Sequence, residues 1–215
     1  MQGLLYRSID GGTTWRRLLD GLRLMPNVEL PTPVNAVRAA CCGGRFFPQT
    51  SHSLSGPFLA YYQQYGELDT FGYPRTEPFT DTDYLAQYTD RFLLEQAPSG
   101  VRPAPLSRLL TQGRTFPAIT AVPSTPTRQY FSATGHSLSG AFLAYWRAHH
   151  GATLLGAPIA EPTREVNGDG SGRTYLVQWC ENGRLEAHPE QKETRYQVQL
   201  GLVGKQALQQ RGRLP

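Results

Sequence analysis

The chain contains one passage twice. His52-Ser-Leu-Ser-Gly-Pro-Phe-Leu-Ala-Tyr-Tyr62 returns as His136-Ser-Leu-Ser-Gly-Ala-Phe-Leu-Ala-Tyr-Trp146, with nine of eleven positions identical at an offset of 84. A self-match at fixed spacing signals two structural units of one design, so the fold must be buildable twice from one pattern. The register continues without a gap: Phe71-Gly72-Tyr73-Pro74 answers Leu155-Gly156-Ala157-Pro158, and Glu77-Pro78 answers Glu161-Pro162. A seven-residue insertion around Asn167-Gly-Asp-Gly-Ser-Gly172 then shifts the second copy. Beyond it Tyr84-Leu-Ala-Gln-Tyr88 matches Tyr175-Leu-Val-Gln-Trp179, and Glu95 and Pro98 match Glu186 and Pro189. The tails pair as Pro105-Leu-Ser-Arg-Leu-Leu110 with Gln199-Leu-Gly-Leu-Val-Gly204. Units of roughly 80 residues sit near the lower size at which a core holds itself, so the copies are expected to lean on each other.

Each copy reads as a short helix followed by antiparallel strands. Leu54, Phe58, Tyr61, Tyr62 and Tyr65 fall on one helical stripe. Ser55 suits the N-cap, Pro57 the first turn, and Gly66 the stop. Gly72 to Pro74 supplies a turn into extended chain. Tyr84–Tyr88 and residues 92–95 read as a hairpin, as do Tyr175–Cys180 and Arg184–Ala187 across Asn182-Gly183. The 22 glycines and 17 prolines fit such a turn-rich chain. The expected class is α+β: two tandem repeats, each a short helix on a small antiparallel sheet, after an N-terminal β-hairpin. The expected divisions are an Asp-box hairpin over 1–25, a linker over 26–45, repeat 1 over 46–113, a Pro-rich extended linker over 114–128, and repeat 2 over 129–212.

The hairpin expectation rests on Ser8-Ile-Asp-Gly-Gly-Thr-Thr-Trp15. Ser8, Asp10, Gly12, Thr14 and Trp15 fill every defined position of the Asp-box, and the stretch resembles the hairpin turn of sialidase-type propeller blades. One copy cannot close a propeller, which needs at least about four blades. The repeats in turn resemble the Leu-Gly-Phe-Pro (LGFP) repeats of bacterial extracellular and cell-envelope proteins. The resemblance is carried in the second copy by Thr134-Gly135-His136, Gly156 and Pro158, Gln178-Trp179-Cys180-Glu181 and His188-Pro189-Glu190. The first copy departs at Ser51, Asp90 and Ala97. What the resemblance implies is attachment to envelope or polysaccharide, often beside a secreted hydrolase.

Three constellations carry candidate chemistry. Gly135-His-Ser-Leu-Ser-Gly140 has the flavour of a lipase elbow, but Ser139 breaks the spacing and no apolar strand precedes it. A helix-capping segment is the expectation, with a hydrolase using Ser137 and His136, or the repeat carboxylates, as the rival. Glu77/Glu161, Asp90/Glu181 and Glu95/Glu186 are the acids present in both copies, expected to bond turn N–H groups or Arg91 and Arg184. For ligand contact the candidates are His52, His136 and the in-register aromatics Tyr62/Trp146 and Tyr88/Trp179, whose flat faces suit sugar rings. Asn167–Gly172 imitates a calcium loop, yet Gln178 stands where the bidentate Glu belongs. His149 and His150 point to different helix faces, and His188 reads as a strand-end residue. No metal site and no cofactor are expected.

Cys41 and Cys42 leave a disulfide to Cys180 open, against an odd count of three. A net charge of +4 without a basic run speaks against nucleic acid, and no apolar stretch is long enough to cross a membrane. The start is not a signal peptide, so export would need a longer precursor. The functional expectation is a non-catalytic extracellular or cell-surface binding module for envelope glycan or another polysaccharide, part of a longer chain. A small hydrolase and a structural spacer are the alternatives.

Overall fold

A computed structural model describes residues 2–7, 16–23, 43–81, 83–167 and 171–212. The first unit, within Met1–Val34, is a two-stranded antiparallel hairpin of β1 (Gln2–Arg7) and β2 (Arg16–Arg23). The Asp-box residues Ser8 to Trp15, the linker expected over 26–45 except its end, and Cys41 and Cys42 lie outside the described residues.

The second unit, Asn35–Pro215, holds both repeats. Each has the same order of parts. In the first, a hairpin of β3 (Arg45–Phe47) and β4 (His52–Leu54) leads into α1 (Gly56–Gln64) and the single-turn α2 (Glu67–Phe71). A four-stranded antiparallel sheet follows, β5 (Phe79–Asp81), β6 (Tyr84–Tyr88), β7 (Leu93–Ala97) and β8 (Gly100–Pro103), closed by α3 (Leu106–Leu110). The second copy repeats this. It has β9 (Arg128–Phe131), β10 (His136–Ser139), α4 (Gly140–Ala148) and α5 (Gly151–Leu154). Its sheet is β11 (Thr163–Val166), β12 (Thr174–Trp179), β13 (Arg184–Ala187) and β14 (Val198–Leu200), followed by α6 (Val203–Gln210). The α+β duplication is therefore present. Among the described residues no helix is long and apolar enough to cross a membrane.

Three local expectations need correction. The segment before each helix is a strand, not a cap: His136–Ser139 pairs with Arg128–Phe131, and Arg45 already belongs to β3. Ser55 and Ser139 do occupy the N-cap positions in extended conformation, but neither side chain makes a cap bond. Finally, the tails align three residues further along. Leu94 faces Pro103 while Leu185 faces Leu200, so the offset at the last strand is 97. Between β13 and β14 the second copy has an excursion with a 3-10 turn at Pro189–Gln191; residues 189–196 stand where the first copy has only Pro98 and Ser99. This second insertion makes Leu106 the counterpart of Val203, each N–H bonding the carbonyl two residues back, at 2.7 and 2.8 Å.

The closing helix of each copy serves the other. Gly204 in α6 lies against the backbone of Thr89 and Phe92 at the β6–β7 turn, and the Lys205 N–H donates to Asp90 O at 2.9 Å. In return Arg108 in α3 reaches Glu181, at the β12–β13 turn, at 3.1 Å. The exchange extends to the arginines that follow. Arg114 pairs with Glu165 at 2.5 Å and lies over Trp179, while Arg211 pairs with Asp81 at 3.5 Å and lies over Tyr88. One core joins Phe58, Tyr62, Phe71 and Phe92 to Leu138, Phe142, Leu155 and Leu185. A second joins Tyr88 and Leu106 to Trp179, Val203 and Leu208. Each fully buried side chain of this kind contributes about 1.5–3 kcal/mol, and neither copy buries its own set alone. Past Arg114 the chain runs extended, pinned where the Ile119 N–H donates to Gly135 O at 2.9 Å.

Candidate functional site

The matched residues form two different clamps, each present in both copies. The first holds the strand before the helix. Glu161 accepts the Ser137 N–H at 2.8 Å and its hydroxyl at 3.2 Å, with His136 Nδ1 at 3.4 Å. Glu77 does the same for Ser53, at 3.0 and 3.0 Å, with His52 Nδ1 at 3.5 Å. Burial pushes the Glu77 carboxyl up, but the bonds from His52 and from the Ser53 amide and hydroxyl outweigh it and hold it below the usual range. The second clamp is a buried amide: Gln87 Nε2 donates to Ser53 O and Thr76 O, both at 2.7 Å, and Gln178 Nε2 to Ser137 O and Ala160 O at 2.8 and 2.9 Å. Sequence reading gave these glutamines no role, although both stood in the aligned strands.

A third matched pair fixes the Gly-x-Pro turn. Asp90 accepts the Tyr73 N–H at 2.7 Å and Arg75 Nε at 2.5 Å, and Glu181 accepts the Ala157 N–H at 3.1 Å. Gly72 and Gly156 both sit at φ 71° with that carboxylate in the space a Cβ would take. Thus Asp90 and Glu181 bond turn N–H groups as expected, whereas Glu77 and Glu161 bond strand serines and Glu95 and Glu186 pair with Arg102 and Arg184. Arg91 is not their partner: it bonds carbonyls, whereas Arg184 bonds Glu186.

Nucleophilic chemistry at Ser137 would need its hydroxyl set against an imidazole base. Instead the hydroxyl points at Glu161, and His136 and Ser137 are both buried. The same trio recurs in the first copy. An arrangement required twice for folding is a poor description of one reaction centre.

The candidate ligand-contacting aromatics are largely interior. Tyr62 and Tyr88 are 0% exposed and Trp179 is 3% exposed, so none presents a ring face to solvent. Tyr62 Oη donates to Gly72 O at 3.2 Å and Trp146 Nε1 to Gly156 O at 2.9 Å, one bond made by two residue types. Trp146 and His52 are half-buried, and His136 is buried. These six residues are spread over both copies and are not brought to a common cavity. Among the described residues Cys180 has no disulfide partner, and burial raises the pKa of its thiol. Asn167 lies near Arg184, and the rest of the calcium-like loop, 168–170, is outside the described residues. His188 lies between Glu186 and Glu190 with its ring 4.2 Å from that of Tyr175. Among the described residues no three His, Cys, Asp or Glu are grouped to hold a metal ion.

A cavity of about 400 Å³ opens where the copies differ. Tyr65 at the end of α1 and His149 at the end of α4 are equivalent positions, and each ring lies on the tyrosine one turn before it. Tyr61–Tyr65 centroids are 4.5 Å apart and Tyr145–His149 centroids 4.0 Å. The two helix ends meet where His150 sets its ring edge-on to Tyr65 at 5.3 Å. Arg91, at the first hairpin turn, closes the floor with Nε on Leu200 O at 3.1 Å and Nη1 on Leu68 O at 3.0 Å. The far wall is the inserted excursion, where Arg195 lies over the Tyr196 ring at 4.7 Å and pairs with Asp69 at 3.3 Å. Burial pushes the Tyr145 phenol up, with Arg91 opposing and Asp69 adding, so it stays a neutral hydroxyl. No known protein family and no curated protein matches the chain. The cleft was invisible to self-comparison because that method finds what the copies share: Asn182 stands where Arg91 does, Gly66 where His150 does, and Arg195 and Tyr196 have no counterpart.

Proposed function

We propose that this chain is a non-catalytic polysaccharide-binding or attachment module, of the kind the LGFP-like repeats suggest, acting at a cell surface as part of a longer secreted protein. The observation that supports it is the division of labour between matched and unmatched residues. The matched His, Ser, Glu and Gln hold each copy's own backbone. The unmatched Tyr65, Arg91, His150, Arg195 and Tyr196 converge on one open cleft. Aromatic faces beside hydrogen-bonding polar groups are the lining that takes sugars, whose C–H faces stack and whose hydroxyls need donors and acceptors. Within this proposal the likeness to envelope repeats supplies the surface, and the cleft supplies the contact.

Co-sedimentation with insoluble bacterial cell-wall polysaccharide tests the reading. Wild-type protein is expected in the pellet, and the double variant Tyr65→Ala, Tyr196→Ala in the supernatant while still unfolding in one cooperative transition. Full binding by the double variant, or no binding by wild type, would remove the cleft from consideration.

A further inference from the structure

We propose that the sugar bound in the cleft is acidic, its carboxylate or phosphate oxygens received by Arg91, so that the module prefers charged over neutral polymer. The inference rests on the polysaccharide-binding reading and adds the chemical class.

The charge balance of the lining points this way. Two guanidinium groups, Arg91 and Arg195, face one carboxylate, Asp69, and that carboxylate is already paired with Arg195 at 3.3 Å. Among the described residues of the lining, Arg91 is left without a carboxylate partner. Its geometry is that of a preset receptor. Nε and Nη1 are tied to the carbonyls of Leu200 and Leu68, one from each copy, which fixes the guanidinium plane. Nη2 has no acceptor among the described residues. A planar cation held in place loses little freedom when an anion arrives, and it offers directed N–H groups where an ammonium would offer only a point charge.

His150 supplies an independent observation. Its backbone lies at φ 53°, in the left-handed region, where the first copy uses Gly66 at φ 106°. A histidine there is disfavoured on backbone grounds, and its ring does not fill the core, being exposed at the cleft rim against Tyr65. The first copy carries its own left-handed non-glycine residue one position on, Glu67 at φ 49°, so what sets His150 apart is the placing of its ring at the cleft. Its ring adds a polar nitrogen-bearing edge on the side of Tyr65, while His149 Nδ1 is already committed to Tyr145 O at 2.9 Å. The cavity, about 400 Å³, is at the small end of the roughly 300–1,000 Å³ of ligand sites, enough for roughly one or two sugar rings.

The test uses one insoluble bacterial cell-wall polysaccharide in three forms: untreated, with its carboxyls converted to neutral ethanolamides, and with its phosphates removed by hydrofluoric acid. Half-saturation is measured for the full chain by sedimentation at low and high salt. The expectation is a tenfold or greater loss of affinity for whichever neutralised form carried the recognised group, which separates carboxylate from phosphate. Binding to the untreated wall should weaken with salt. Arg91→Gln should abolish the difference between the forms. Because Arg91 also braces two carbonyls, His150→Gly is the second variant: it restores the first copy's residue, should fold at least as well as wild type, and should weaken binding about threefold or more. Equal affinity for all three forms overturns the acidic-sugar inference and leaves the module reading standing. No binding to any form overturns both. Discrimination that survives in both variants moves the site out of this cleft and overturns the inference.

Discussion

Asp90 holds its carboxylate over Gly72, in the volume that a Cβ on residue 72 would occupy, while accepting the Tyr73 N–H at 2.7 Å. Gly72 lies at φ 71°, ψ −159°, a region open essentially to glycine alone. Gly72→Ala is therefore expected to cost about 2–4 kcal/mol, from backbone strain and displacement of the acid together. Gly156→Ala should cost a similar amount. Gly100→Ala is the control: φ is also positive, at 117°, but the space beside it is open. Urea unfolding of the three variants should rank Gly100→Ala as clearly the mildest, and equal losses would mean crowding by the acid contributes nothing.

Acid should weaken the fold through carboxylates of the clamps. Glu77 is held low by His52 and Ser53 against the upward push of burial, and Glu165 by Arg114, Trp179 and Thr163 against the same push. A carboxyl whose folded pKa lies below its unfolded value stabilises fully above about 4.5, and that contribution is lost as pH falls through the folded value. The urea midpoint is thus expected to be flat from pH 7 to about 5 and to fall below about 4.5. Glu77→Gln should start lower at pH 7 and fall less, by on the order of 1 kcal/mol, after allowance for its partial exposure. A variant with an unchanged pH slope would contradict the assignment.

Coupling between the copies predicts a single unfolding transition. Gly204→Ala forces a methyl against the Thr89 carbonyl and the Phe92 backbone of the first copy, and overpacking of this kind costs about 1–3 kcal/mol. The loss should appear at one midpoint in far-UV circular dichroism, which reads both copies, and in the fluorescence of Trp146 and Trp179 in the second, since the cores are common property. Two separated transitions would show that the copies melt independently.

Gln178 makes a sharper case than any histidine. Its Nε2 satisfies Ser137 O and Ala160 O in a fully buried site. Gln178→Leu keeps the volume but strands two carbonyls, at about 2–4 kcal/mol. Gln87→Leu should match it, whereas a surface change such as Gln63→Leu should stay within about 0.5 kcal/mol. Thermal melts give the comparison.

Self-comparison made the duplicated architecture legible because His52–Tyr62 and His136–Trp146 preserve the helix and its start so closely. The hairpins before each helix escaped it: three-residue strands such as Arg45–Phe47 carry too few positions for a period of two to show. The tail register slipped because the second insertion, at 189–196, falls in polar sequence that resembles nothing in the first copy. Aromatics that recur in both copies, such as Tyr62 and Tyr88, do so because each core needs them, so recurrence points inward and not to a contact surface. The cleft needed three dimensions, since Tyr65, Arg91, His150 and Tyr196 are brought together only by the docking of one copy on the other.

That docking is reciprocal, and reciprocity has an arithmetic of its own. Each hairpin tip receives one terminal helix, and each terminal helix is spent on one tip, so two copies leave no vacancy for a third. A chain assembled from this unit would lengthen by couples, like a string of closed clasps, and any odd member would hang with its helix unclaimed.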